Sequence, residues 1–331
     1  MEGINRDDEE KRVIADIIEV PDVHLYDKNI GSTLDYDGES LFILDSVLEV
    51  CDKVMEETGN TNTHVVFGGD LFHARLTDME FFAGVCNKLT KLKEKVKGVY
   101  SLKGNHDISA KFKYSFYDLI IDLGVVSKTD KLVFGNGEVV VNIFDYALDT
   151  DQLQCERCEG NKTNIGVYHN NIIEVGLAEE EPIGIRIDPE KDGIFDNIDI
   201  AIINHIHTRM GDRSSLINGR SVRMITPGSV GRPGNFKYHE REDAVLPRIT
   251  IYEDYSVKVS FITIFLTPVE EFFDLRKSLE IKRIKNNFKV FSDSIESLNI
   301  TFEDAAMVIA KMKDIDEKIK TKTINYIKQV D

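Results

Sequence analysis

Five short polar clusters follow directly on apolar runs, and all carry residue types that ligate metals or move protons. They are Asp22-Val23-His24, Gly68-Gly69-Asp70-Leu71-Phe72-His73, Lys103-Gly104-Asn105-His106-Asp107, His169-Asn170-Asn171 and Asn204-His205-Ile206-His207. Imidazole nitrogen, carboxylate and amide oxygen together suit manganese, iron or zinc better than calcium or a purely oxygen-ligated magnesium. Singly, each cluster is weak. Asp-x-His is a common pair, Gly-Asn-His-Asp is also turn chemistry, and a lone histidine is more often a satisfied structural residue than a ligand. The chain has 8 histidines, however, and His24, His73, His106, His169, His205 and His207 all fall at or just past these ends. Chance would have to repeat itself at every terminus. Residues two apart on an extended segment share a side, so Asp22 with His24, and His205 with His207, are each expected to point together. Asp70 would hold one ion or bridge two.

The elements that must position these groups are legible from apolar spacing. Strands are expected over Val13 to Val20, His64 to Phe67, Gly98 to Leu102, Asn164 to Tyr168 and Ile198 to Ile203. Three- and four-residue spacing predicts helices over Glu39 to Glu57, about Thr77 to Val96 with Thr77 as cap, and Tyr114 to Leu123. A hairpin is expected over Leu132 to Phe144, and a strand pair over Arg248 to Tyr252 and Val257 to Ile264 that would edge a second sheet. Strands alternating with helices make a parallel α/β unit, whose ligands sit beyond the carboxyl ends of the strands.

Length and composition fit one α/β domain with a smaller appendage: 331 residues, 42% hydrophobic, 7 prolines. The catalytic domain is expected over residues 1–267 and a helical, charge-balanced region over 268–331, the candidate partner-binding element. A net charge of −17 argues against a surface coated in bases for nucleic acid. One local exception runs from Arg209 to Lys237, with Arg209, Arg213, Arg220, Arg223, Arg232 and Lys237 against the single acid Asp212. It reads either as a patch for a polyanion, with Arg209 and Arg232 as substrate contacts, or as ordinary solvated surface. Four cysteines make no disulfide scaffold; Cys155 and Cys158 form half a zinc site at most and are expected in an exposed loop. No run approaches the roughly 18 apolar residues of a membrane span, and the acidic opening residues are unlike a secretory signal. A soluble protein of the cytoplasm, with no membrane partner, is the expectation.

In order, Asp-x-His, Gly-Gly-Asp, Gly-Asn-His-Asp, a lone His and His-x-His resemble the calcineurin-like metallophosphoesterases, over roughly Asp22 to Gly231. The resemblance implies an α/β fold, a four-layer β sandwich flanked by helices with a small helical C-terminal appendage, and a centre of two divalent metal ions. Manganese is the first expectation, with iron, zinc or magnesium as alternatives. By the same resemblance Asp22, His24 and His207 hold one ion, Asp70 bridges, and Asn105, His169 and His205 hold the other. His106 would sit over the phosphoryl group with Asp107 orienting it, and hydroxide between the ions would attack phosphorus in line. Gly-Asp-Leu-Phe-His, ending at His73, is similar to the SbcD-type DNA repair exonuclease subunits. There the extra histidine touches the substrate phosphate, and an SMC-like ATPase docks on the helical tail. That implies a DNA nuclease of recombination and repair acting with such an ATPase through residues 268–331, with a homodimer as a further expectation. The composition is compatible with a bacteriophage version working in the host cytoplasm. The alternatives are a phosphoesterase for small molecules or phosphoproteins, and a non-catalytic scaffold.

Overall fold

Alternation along the strands decides the architecture. In the computed structural model, which describes residues 11–30, 33–108, 114–157, 159–172, 188–233 and 241–274, β1 (Val13–Val20) turns Ala15 and Ile17 to one face and Ile18 and Val20 to the other. Both faces are apolar because both are covered, as parallel strands require. β1 pairs in parallel with β2 (Thr63–Phe67), and β2 with β3 (Gly98–Ser101). Val20, Phe67 and Ser101 are in register, so three strands reach one rim together.

The second sheet follows the same logic. Its parallel centre is β5 (Val139–Phe144), β6 (Thr163–His169), β7 (Ile200–Asn204) and β9 (Arg220–Thr226). The antiparallel edges are β4 (Lys131–Phe134) and β8 (Gly211–Ile217). Ile17, Val66 and Leu102 of the first sheet and its loops share one core with Val141, Val167, Ile202 and Ile225 of the second, so the sheets pack face to face. Helices α1 (Tyr36–Thr58), α2 (Met79–Lys95) and α3 (Phe116–Asp122) cover the other side of the first sheet. Across the second sheet, Phe144, Tyr168, Ile203 and Met224 are covered by Leu153, Ile194 and Phe195, from short 3-10 and turn segments. The whole is the α/β sandwich with flanking helices that the resemblance implied.

Two local expectations change. The late strands β10 (Asp243–Tyr252) and β11 (Val257–Phe265) do not edge the second sheet; β10 lies antiparallel to β1, and β11 forms the outer edge of the first sheet. Ile249 and Ile251 enter the inter-sheet core beside Ile17 and Ala15, a pairing over 230 residues of chain that no local pattern encodes. The α2 cap is Asp78, whose carboxylate accepts from the Glu80 and Phe81 amides at 2.8 and 3.1 Å, whereas Thr77 is bound to Asp27. The chain divides into compact units at Met1–Phe273 and Asp274–Asp331. A single turn, α4 (Val269–Phe272), belongs to the first unit, with Phe272 and Phe273 buried beside Tyr36. The helical region expected over 268–331 lies outside the described residues from position 275 onward, as do Lys237 and Cys158. No described helix is long and apolar enough to cross a membrane.

Candidate metal centre

The rim is built from backbone that most side chains avoid. Asp22, His24, Asp70 and His205 have φ of 34°, 53°, 46° and 77°, in or near the left-handed region that costs an L-residue about 1–2 kcal/mol. The extended-pair rule therefore fails at both motifs. Asp22 and His24 still converge, through two successive left-handed turns. His205 and His207 instead part company, each joining a different group of ligands. Neighbouring loops hold these turns: the His24 and Leu25 amides donate to the Asp70 and Leu71 carbonyls at 2.8 Å each, and the buried Tyr36 hydroxyl donates to the His24 carbonyl at 3.0 Å. Gly69 (φ 96°) lies against the His169 ring and Gly104 against Asp70, and a Cβ at either would collide with them.

Two groups of donor atoms result, each within 4.8 Å, and they share one residue. Asp22, His24, Asp70 and His207 form the first; Asp70, His169 and His205 form the second. His24 Nε2 and His207 Nε2 are 2.9 Å apart, and His24 Nε2 lies 3.7 Å from Asp70 Oδ2. On the other side His169 Nε2 lies 3.3 Å from Asp70 Oδ1 and 3.1 Å from Asn105 Oδ1. All seven expected ligand residues thus meet in one place, and Asp70 turns one oxygen to each side. Its Oδ2 is buried with no hydrogen-bond partner. A buried carboxylate oxygen left in that state is costly unless a cation takes its lone pairs, so the donor set fits divalent metal.

Electrostatics point the same way. Burial, only partly offset by Asp70, pushes His24 well below the usual histidine range and His207 down to about 3, so each is neutral and has one ring lone pair to offer a cation. Burial would also depress His169, but the charges of Asp70 and Asp22 and its hydrogen bonds raise it to about 10. Asp70 shows the converse: burial alone would raise it, yet the facing histidines, His169 foremost, hold it well below the carboxylate range. Asp22 is lifted to about 7, chiefly by burial. Without metal, then, a proton on His169 balances Asp70. His169 Nδ1 donates to the Gly68 carbonyl at 2.8 Å, which aims Nε2 at Asp70 and Asn105.

His106 and His73 stand over the first group. Their rings stack with centroids 4.9 Å apart, and both come close enough to His24 to make a third histidine cluster. The His106 amide donates to Asp70 Oδ1 at 2.8 Å, and its Nδ1 donates to the His73 carbonyl at 2.7 Å. Asp107, expected to orient that ring, does something else. Its buried carboxylate accepts the Leu71, Phe72 and Gly104 amides at 3.2, 3.0 and 3.0 Å, pinning the loop after β2 to the loop after β3. The His73 carbonyl orients His106 in its place.

The basic stretch also reads differently in three dimensions. Arg232 is fully buried, paired with the buried Glu39 and lying 4.0 Å from the Phe272 ring centroid, so it is no surface contact for substrate. Arg223 forks onto Asp212 at 2.6 and 3.0 Å, Arg220 pairs with Asp199 at 3.1 Å, and Arg209 pairs with Asp243 at 3.5 Å. Acids, three of them outside the stretch, meet these four arginines, with Asp199 also serving Arg157.

Sequence reading passed over several residues of the centre. Glu19 is buried beneath it, where burial and the Asp22 charge push its carboxyl well above the ordinary range while the Asn204 amide pulls it back. The available signal was a carboxylate inside the apolar run Val13 to Val20. Tyr146, whose ring centroid lies 5.9 Å from that of His205, carried no signal.

No family model matches the chain, and no curated protein matches it either. Among solved structures, one described as a novel archaeal phosphodiesterase aligns with 75% of this chain and 99% of its own, at 11% identity and a TM-score of 0.32. Vps29 of Chaetomium thermophilum aligns with 76% of this chain and 98% of its own, at 10% identity and a TM-score of 0.24. Likeness at that level carries no functional weight; the side-chain geometry does.

Proposed function

We propose that this chain is a metal-dependent phosphodiesterase with a two-ion centre bridged by Asp70. The observation that carries the reading is Asp70 shared between two convergent donor groups, with one buried oxygen lacking any hydrogen bond. Asp22, His24 and His207 would hold one ion and Asn105, His169 and His205 the other. Two divalent ions so held supply Lewis acidity at phosphorus and an activated water at neutral pH. The chain's own residues do the rest. The His205 amide fixes the Asp22 carboxylate at 3.1 and 3.2 Å. With Nδ1 engaged by the His73 carbonyl, His106 has Nε2 left to hold or pass a proton at the departing oxygen. His73 lies beside it as a second group for phosphate.

Our finer reading is a DNA phosphodiesterase of recombination and repair that uses manganese. Its support is the SbcD-type motif together with the stacking of His73 on His106. An SMC-like ATPase acting through residues 268–331 is part of that reading and rests on the resemblance alone. A second reading, a small phosphodiester as substrate, is favoured by the arginines already neutralised by acids and by the net charge of −17. The test is hydrolysis by the manganese-loaded protein of linear single- and double-stranded DNA against a small chromogenic diester. Cleavage of DNA supports the finer reading, and turnover of the small diester unaffected by competing DNA supports the second. Loaded protein that cleaves no phosphodiester overturns both.

A further inference from the structure

An apolar cleft of about 490 Å³ opens beside the candidate centre and shares His73, Asn105 and His106 with it. Its volume falls within the roughly 300–1,000 Å³ of small-molecule sites. The walls come from three directions: Phe72 from the loop after β2, Ile108 from the loop after β3, and Phe116 and Leu119 from α3. Phe116 is held against Phe82 and Phe72, with ring centroids 5.1 and 6.2 Å away, so this wall is fixed by the helical layer behind it. At the mouth, Ile108 and Tyr114 are 47% and 50% exposed, so their apolar faces stay open to an entering ring. The Ser115 hydroxyl and backbone amide are already engaged with Asp118 in the α3 capping box. Aromatic and aliphatic walls beside a phosphoryl site suit a flat ring joined to phosphate by a short linker.

Resting on the phosphodiesterase reading above, we infer that this cleft takes the unpaired nucleobase of the nucleotide next to the scissile phosphate, between the Phe72 and Phe116 wall and the Ile108 and Tyr114 rim. A base stacked and paired within a duplex cannot enter a walled cleft; it must first leave the stack. Stacking on aromatic side chains tolerates any base, because every base has a π face. The site therefore selects unpaired nucleotide diesters without selecting sequence. A strand end and a free small nucleotide diester present the same chemistry, and experiment separates these sources.

The chain contains no tryptophan, so the fluorescence of 2-aminopurine deoxyriboside 5′-monophosphate reports stacking against a dark background. With manganese-loaded protein, its affinity should exceed that of 2-deoxyribose 5-phosphate, measured by calorimetry, at least tenfold, and its fluorescence should be quenched on binding. Ile108→Ala and Tyr114→Ala, at exposed positions where folding is not at stake, should each shrink that ratio at least threefold, and Phe116→Ala should shrink it further. Single-stranded oligonucleotides with and without an abasic nucleotide beside the cleaved bond form one arm, and a dinucleoside monophosphate with its abasic counterpart the other. A base preference in the first arm names the strand as source, and a preference in the second alone names the small diester; both support the cleft. Equal affinity for the nucleotide and the sugar phosphate, with hydrolysis intact, overturns the cleft and spares the phosphodiesterase reading. Paired and unpaired ends cut at equal rates also overturn it. Failure to hydrolyse any diester falls on the phosphodiesterase reading instead.

Discussion

The rim around Asp70 and the hairpin β8–β9 are both rich in ionisable groups, yet they are built on opposite terms. At the rim, Asp22, His24, Asp70 and His169 are almost wholly buried, held on left-handed or closely packed backbone, with a carboxylate oxygen left unpaired. On the hairpin, Arg223 and Arg220 lie at the surface with their charge met by Asp212 and Asp199. A buried carboxylate oxygen without a partner calls for a cation, whereas a surface arginine already forked onto a carboxylate calls for nothing. The density of charge in the sequence does not separate these cases; the partners do.

That contrast can be broken or sharpened by substitution, and the largest effect should fall on the shared residue. Asp70→Ala should lose both ions by elemental analysis and lower turnover by more than about 10⁴-fold, since both Lewis-acid positions go with it. His106→Ala should keep both ions and lose about 10²- to 10⁴-fold in kcat, the usual contribution of a positioned acid or base. Equal metal loss in the two variants would erase the division between bridging and proton handling. Arg232→Ala should cost about 3–5 kcal/mol in urea unfolding, because Glu39 is left buried and alone. The folded remainder should keep its activity; a selective loss of kcat would return Arg232 to the substrate.

A weaker effect concerns pH. His169 holds its proton up to about 10 in the metal-free protein, and ligation must displace it. Metal affinity should therefore rise with pH between about pH 6 and about pH 8, about tenfold per unit for the His169 proton and more steeply below neutrality, where Asp22, lifted to about 7, also gives up a proton. Affinity that is flat over that window would show that His169 is no ligand. The smallest change should come from Arg223→Ala: under about 1 kcal/mol in stability, as for exposed pairs, with kcat/KM for DNA and its salt dependence unmoved. A marked drop there would mean that the hairpin is a nucleic-acid surface after all.

How far the sequence could be read follows from the range of each interaction. Strand ends and helices are local, and Val13–Val20 and the polar groups after each strand were legible from spacing. Partners far along the chain were not. Arg232 meets Glu39 across 193 residues, and β10 meets β1 across more, so spacing alone reads a buried arginine as a surface one and places two strands in the wrong sheet. Backbone turns were equally hidden. Nothing in His-Ile-His announces that the first histidine is left-handed, yet that single φ decides which group each imidazole joins. Asp107 adjoins His106 in sequence and the resemblance gives it the task of orienting that ring, while its carboxylate serves three amides from the two adjoining loops.

The left-handed residues also set stability against function in this molecule. Glycine would relieve the backbone at Asp22, His24, Asp70 or His205 and simultaneously delete the side chain that the turn exists to present. Selection for thermal robustness alone would accordingly drift toward glycine at these positions and silence the protein while improving its melting temperature. Four costly left-handed residues gathered at one rim are what selection for activity, rather than for folding, would leave behind.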